Sequence, residues 1–383
     1  ARETANGTLD QTAQRRDRYW KAWQAFCQKH RVDPLFHGLS PPAGIEFLGA
    51  FASFIRQGGA GQKHQVRVGS VRDALCSVGK GFELAHLPNP TYATYHTNGG
   101  PRYTYKLAQQ LKGYERTDPP VKPQLAVPVA LPHLALTRAY CGKPQDSTPK
   151  HQAAADLCNL AFYYLLRVGE YTSPHTDTPP DPKKRQTQAF RVQDCTFWSK
   201  DNLPIPLTAP LPHLQQAVSA TLTITNQKNG VKGQHIHHYA IPHEYCPVKT
   251  LARRIYHILS NAGTTTHLLC AYFESRTKIK YITPSIINKT IKSTALALGL
   301  FNPCYRYSPS DVSSHSLRAG GAMALHLNGV PAETIKKQGR WRSDTFMTYI
   351  HEQLSGHAIN LSHKMSQHIP FHNMAGPTIL SYA

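Results

Sequence analysis

Between Thr8 and Arg31 the apolar residues Tyr19, Trp20, Trp23, Phe26 and Cys27 recur at intervals of three and four among Arg, Lys and Gln, which predicts an amphipathic helix with a strongly basic outer face. A second helix is expected over PPAGIEFLGAFASFIRQGG, opened by prolines and closed by glycines, a third over HQVRVGSVRDALCSVGKGFELAH and a fourth over YTYKLAQQLKGYERT. The pattern then breaks. DPPVKPQLAVPVALP, from Asp118 to Pro132, holds five prolines and cannot be continuous helix, so it is read as an interdomain linker.

Beyond the linker the periodicity is mixed. KHQAAADLCNLAFYYLLRVGEYT predicts a strongly apolar helix ending near Arg167, where a buried arginine needs a partner. QAFRVQDCTFWSK reads as a strand, and ATLTITNQKNGVKGQHIHHYAI as two alternating β-branched runs joined through Asn229-Gly230, a hairpin with Lys228 at its turn. Helices are expected over CPVKTLARRIYHILSNAG, PSIINKTIKSTALALG, SHSLRAGGAMALHLNG, PAETIKKQG and DTFMTYIHEQ. The fold class is therefore mainly α with a small antiparallel β-sheet, in two domains: residues 1–117 a helical domain, 118–132 the linker, 133–353 an α+β domain and 354–383 a polar tail.

Charge narrows the function. The 383 residues carry 43 Lys+Arg against 22 Asp+Glu, a net charge of +21, which points to a polyanionic partner, nucleic acid before membrane. No apolar run is long enough for a membrane span and the N-terminal segment lacks a secretory core, so an intracellular location is expected. The eight cysteines are scattered and never form a CxxC pair, which argues for reduced thiols rather than a zinc ribbon or disulfide framework. His235, His237, His243 and Cys246 cluster in sequence, yet among 22 histidines such a grouping arises by chance, and neither a metal nor another cofactor is expected.

The densest chemistry lies in SHSLRAGGAMALHLNGVPAETIKKQGRWRSDTFMTYIHE. His315 and Arg318 stand one helical turn apart on one face. With Arg167 from another helix end and Lys228 from a hairpin tip, several positive donors are available to one phosphodiester. Guanidiniums supply forked, permanently charged hydrogen bonds to nonbridging oxygens. Tyr349 offers a phenol able to attack phosphorus and form a covalent ester.

These residues resemble the signature of the tyrosine recombinases (phage-integrase family): LLRVGEYT with Arg167, TNQKNG with Lys228, HSLRAGG with His315 and Arg318, GRW with Trp341 and TYI with Tyr349, in family order. The resemblance spans about Val127 to Gln353; the N-terminal helices match the family's core-binding domain only in position and helical character. GRW followed by SDTFMTYI particularly resembles recombinases of eukaryotic mobile elements, the DIRS-like retrotransposons and Cryptons, which would imply a nuclear location. Trp341 lies eight residues before Tyr349. The family's usual His/Trp position is one residue further away, which would select Arg340, so both are candidates.

The resemblance implies a two-domain C-shaped clamp on double-stranded DNA, acting as a homodimer on one site and a homotetramer in synapsis, with the tail docked on a neighbouring protomer. It further implies two rounds of cofactor-free transesterification through a 3′-phosphotyrosine, in which Arg167, Arg318, His315 and Trp341 hold the phosphorane charge, Lys228 protonates the leaving oxygen and Glu170 orients Arg167 or His315. Plainer roles exist for each residue. Arg167 could cap a helix C-terminus, Lys228 could be turn decoration with Lys232 as its rival, and Tyr349 could be a packing residue. A type IB topoisomerase and a catalytically silent DNA-binding protein are the alternative functions.

Overall fold

The computed structural model of the chain describes residues 10–62, 64–93, 103–120, 124–179, 187–225, 232–275, 277–305, 307–341 and 347. The chain divides into two compact units, residues 1–121 and 122–383. It is mainly α-helical with a small antiparallel sheet.

The first unit packs helices α1 (Asp10–His30), α2 (Pro41–Arg56), α3 (Val68–Leu84) and α4 (Tyr105–Thr117). Its core is the apolar stripe foreseen on α1: Tyr19, Trp23, Phe26 and Cys27 are buried, with Trp20 packed against them. Trp23 meets Phe51 edge-on at 4.9 Å and donates its indole N–H to the Pro34 carbonyl at 2.9 Å, so its one polar atom is satisfied inside the core. The start of the proline-rich segment belongs to this unit, because Asp118 pairs with buried Arg56 and accepts the Val68 N–H at 2.9 Å. Its later part belongs to the second unit: Leu125 N–H donates to the Asp311 carbonyl at 2.8 Å, Val127 joins the second core, and helix α5 (Ala130–Cys141) begins inside the span read as linker.

The second unit is built around α6 (Pro149–Tyr163), whose residues from Ala153 to Phe162 are all buried. The chain continues through a short α7 (Val168–Tyr171), β1 (Cys195–Trp198), β2 (Pro204–Ile205), α8 (Leu211–Gln215), β3 (Ser219–Ile224) and β4 (Gln234–Tyr239). Then follow α9 (Pro247–Ser260), β5 (Ala271–Ser275), β6 (Lys278–Tyr281), α10 (Pro284–Ala297), α11 (Ser314–Leu327) and α12 (Ala332–Gly339). The sheet runs β2-β1-β3-β4, all antiparallel, with Ile224 opposite Gln234 where the β3–β4 connection leaves the ladder.

Three expectations change. Helix α6 stops at Tyr163 rather than near Arg167, because Leu165 takes a left-handed conformation (φ 49°) that no α-helix continues through. QAFRVQD forms a loop and a 3-10 turn, leaving only Cys195–Trp198 as strand. The two-stranded β5–β6 ribbon was not anticipated at all. The expected helix over residues 344–353, Met347 apart, and the tail from 354 to 383 lie outside the described residues.

Of the cysteines, Cys27, Cys158, Cys195, Cys246 and Cys270 are buried, Cys76, Cys141 and Cys304 are exposed, and all eight are free thiols. Among the described residues no helix is long and apolar enough to cross a membrane.

Candidate active site

The HSLR segment is fixed by its cap. Ser313 accepts the His315 N–H at 3.2 Å, the Ser316 hydroxyl accepts the Ser313 N–H at 3.1 Å, and Asn288 of α10 accepts the Ser314 N–H at 2.7 Å. Arg318 follows one turn later and is 2% exposed. The two glycines after it explain how a guanidinium comes to be seated so deeply. A Cβ on Gly320 would stand 2.2 Å from the Val127 carbonyl oxygen, and one on Gly321 would stand 2.2 Å from that of Phe162. Helix α11 therefore lies backbone against backbone on the end of α6. At that distance Arg318 donates to the carbonyls of Leu165 and Gly339.

The end of α6 supplies the next part. Leu166 N–H bonds back to the Ala161 carbonyl at 3.0 Å around left-handed Leu165, the closing bond of a Schellman turn built without its usual glycine. A left-handed leucine costs about 1–2 kcal/mol. Its carbonyl accepts from Arg318 and also from Arg340 at 3.2 Å. Two residues later Arg167 caps the N-terminus of α7, the opposite of the C-terminal capping role considered from sequence. Glu170, 2% exposed, accepts the Arg167 N–H at 2.8 Å and its guanidinium at 3.2 Å, while Arg167 also reaches the Arg340 carbonyl at 3.2 Å.

Helix α12 ends in a second Schellman turn without glycine at its left-handed position. Arg340 has φ 58°, and Trp341 N–H returns to the Lys336 carbonyl at 3.0 Å. The Arg340 guanidinium turns inward, 2.7 Å from Glu170, with its Nε and one Nη buried and lacking a hydrogen-bond acceptor. Burial lowers its pKa, Glu170 opposes that shift and Arg167 adds to it. Trp341 instead lays its ring over the Arg318 guanidinium at 4.2 Å. A Cβ on Gly339 would fall 1.6 Å from that indole, so this ring position requires glycine there.

His315 faces solvent, yet protein around it removes part of its hydration, and the charges of Arg318 and Arg167 act in the same direction. All three lower its pKa and favour a neutral imidazole able to accept a proton.

Arg167, Glu170, His315, Arg318, Arg340 and Trp341 thus come together from the cap and first turn of α7, the start of α11 and the end of α12. Lys228 and Tyr349 lie outside the described residues. Lys232, the rival to Lys228, is exposed at the base of the β3–β4 connection. The histidines weighed as metal ligands have other partners: His235 and His237 bond Thr223 and Thr221 across the strand pair at 3.1 and 2.8 Å, and His243 accepts the Tyr245 N–H at 3.3 Å. Among the described residues no cluster of three or more His, Cys, Asp or Glu is placed to hold a metal ion.

Two neighbours of these residues were not foreseen. The Leu165 carbonyl has no sequence signal, since leucine is an unfavoured left-handed residue. His238 sits between α6 and α12 and was hidden in a His-rich strand where only metal binding had been considered.

No family model and no curated protein sequence matches the chain. Among solved structures it is similar to the Tn1549 transposon integrase in complex with circular intermediate DNA, at 12% identity over 84% of each chain with a TM-score of 0.44. It is similar to the XerA recombinase at 15% identity over 96% of each chain, TM-score 0.36. It is also similar to the XerH site-specific recombinase bound to difH substrate at 10% identity over 85% of this chain and 70% of that one, TM-score 0.44. Identities and scores this low decide nothing about chemistry, which rests on the side chains described above.

Proposed function

We propose that the chain is a tyrosine recombinase of a mobile element that cuts and rejoins double-stranded DNA through a 3′-phosphotyrosine. The observation that carries this reading is the convergence of Arg167, His315, Arg318 and Trp341 at the ends of three helices, in the chain order of the family signature, with Tyr349 eight residues beyond Trp341. The Tyr349 phenol oxygen attacks the scissile phosphorus and its proton passes to His315. The bond from phosphorus to O5′ breaks as Lys228 protonates that oxygen, leaving a tyrosyl ester on the 3′ phosphate and a free 5′-hydroxyl. Arg167 and Arg318 neutralise the phosphorane, a task for preorganised donors in a site that excludes water. Resealing by a partner strand's 5′-hydroxyl reverses the same steps without ATP.

The directions of the two side chains support assigning the phosphate-facing role to Trp341 rather than Arg340. Arg340 is turned inward onto Glu170 and the Leu165 carbonyl, whereas the Trp341 ring borders Arg318. Residues 1–117 would hold DNA through the basic face of α1, residues 133–353 would carry the chemistry, and strand exchange would need a dimer on each site and a tetramer in synapsis.

The test uses nicked suicide duplexes, selected by the wild-type chain from a pool with randomised sequence. Covalent adducts should carry the 3′ phosphate on Tyr349 by peptide mass spectrometry, and should still form in excess EDTA because guanidiniums meet the phosphorane charge. Tyr349→Phe should bind the duplexes and form no adduct. Adduct formation undiminished in that variant would refute the assignment.

A further inference from the structure

Helix α12 is short and lightly anchored. Its buried residues are Ile335 and Gly339, and its apolar contacts belong to a small cluster of Ala322 and Ile335 with Leu325, Val330, Trp341 and Met347 around them. Polar ties therefore set the position of its end. Arg318 holds the Gly339 carbonyl and Arg167 holds the Arg340 carbonyl, but both arginines are assigned to the substrate phosphate, which would compete for the same N–H groups. The Arg340 side chain is tied to Glu170 and the Leu165 carbonyl, and Gln338, two residues earlier, adds a tie to the sheet: its amide nitrogen lies 3.0 Å from Nε2 of His238 on β4.

The chemistry of that contact fixes the imidazole. An amide nitrogen only donates, so His238 Nε2 accepts and the ring proton sits on Nδ1. The ring also lies beside the end of α6, edge-on to the ring of Tyr163, its last residue, at 6.4 Å, and the Tyr163 backbone partly opposes the effect of burial on its proton. One ring face meets Tyr164 at 4.6 Å, and Tyr164 is itself buried with its hydroxyl 3.4 Å from the carbonyl of Ala220, the β3 residue opposite His238. Burial holds the His238 pKa down at about 4, so the ring keeps this neutral tautomer at neutral pH.

We infer that His238 is a positioning residue for the proposed recombinase site: it joins the strand pair, the end of α6 that leads to Arg167 and the end of α12 that carries Arg340 and Trp341, and so holds Trp341 over Arg318 when phosphate draws the arginines away. The inference rests on the recombinase reading for its catalytic consequence, though not for the structural tie.

His238→Phe keeps a ring against Tyr164 and removes both nitrogens, Gln338→Leu removes the partner from the half-buried helix side, and His238→Gln restores an acceptor near the Nε2 position. For the first two, binding to the duplexes selected by the wild-type chain should stay within about twofold. Their single-turnover cleavage should fall by roughly 10- to 100-fold, the scale of a misplacement near 1 Å. The His238→Phe/Gln338→Leu double variant should be no worse than either single one, and His238→Gln should recover most of the rate. A duplex with sulfur in place of the bridging 5′ oxygen should not rescue His238→Phe, because leaving-group protonation is not what the variant lost.

Hydrogen exchange without DNA should show faster exchange at the Arg340 and Trp341 amides in both single variants. Unchanged exchange together with wild-type cleavage in Gln338→Leu would overturn the inference, as would sulfur rescue of His238→Phe, which would place His238 behind the leaving-group acid instead. If the wild-type chain formed no adduct at all, the recombinase reading would fail while the exchange data still tested the tie.

Discussion

Glu170→Ala should be among the most damaging single changes in the second unit. The carboxylate is 2% exposed and faces three donors: Arg340 at 2.7 Å, the Arg167 N–H at 2.8 Å and the Arg167 guanidinium at 3.2 Å. The last is the weakest, because the Arg167 side chain is 30% exposed and water screens the pair, which limits it to under about 1 kcal/mol. Arg340 dominates. It is 7% exposed, two of its nitrogens already lack an acceptor, and removing Glu170 strands a buried cation, for which breaking such a pair typically costs about 3–5 kcal/mol. Glu170→Gln keeps the volume and one acceptor and should cost about 1–3 kcal/mol. Native-state hydrogen exchange at the buried amides of α6 suits the measurement, since two units need not unfold together and a single denaturation midpoint would mix them. Replacing both partners, Glu170→Leu with Arg340→Met, should recover most of the stability, as buried ion pairs exchanged for apolar residues often do. A loss below about 1 kcal/mol in Glu170→Ala would refute the claim that this carboxylate organises the site.

Gly321→Ala places a methyl against the Phe162 carbonyl, a backbone atom that cannot swing aside, so a loss of about 1–3 kcal/mol and a comparable loss of cleavage are expected by exchange and adduct yield; a neutral substitution would mean that α11 and α6 are not in direct backbone contact. Burial lowers His133, His238 and His257 from 6.5 to about 4, so between those values the unfolded chain binds up to three protons that the folded chain does not, and stability must fall as pH falls through this window, by up to about 1.4 kcal/mol per proton per pH unit. Equal urea resistance of the second unit at pH 5 and pH 7 would contradict this. Lys228→Ala should cleave ordinary DNA roughly 10²–10⁴-fold more slowly and be rescued by bridging sulfur, which leaves without a proton. Rescue of Lys232→Ala instead would move the acid to the base of the strand pair.

The helical periodicities of both units were legible because burial enforces them: the α1 stripe and the apolar run of α6 are core faces that any packing must cover. What the sequence could not show is where a helix stops without a glycine or proline to stop it. Leu165 and Arg340 both take left-handed conformations that their residue types disfavour, and each is held there by tertiary bonds, Leu165 through its carbonyl and Arg340 through Glu170. These two turns decide the geometry of the candidate site. The first converts Arg167 from the end of one helix into the cap of the next, and the second separates two adjacent residues that register alone left equivalent, sending Arg340 into the protein and Trp341 over Arg318. A guanidinium turned inward onto Glu170 is committed there, so of the two neighbours it is the Trp341 ring that borders Arg318.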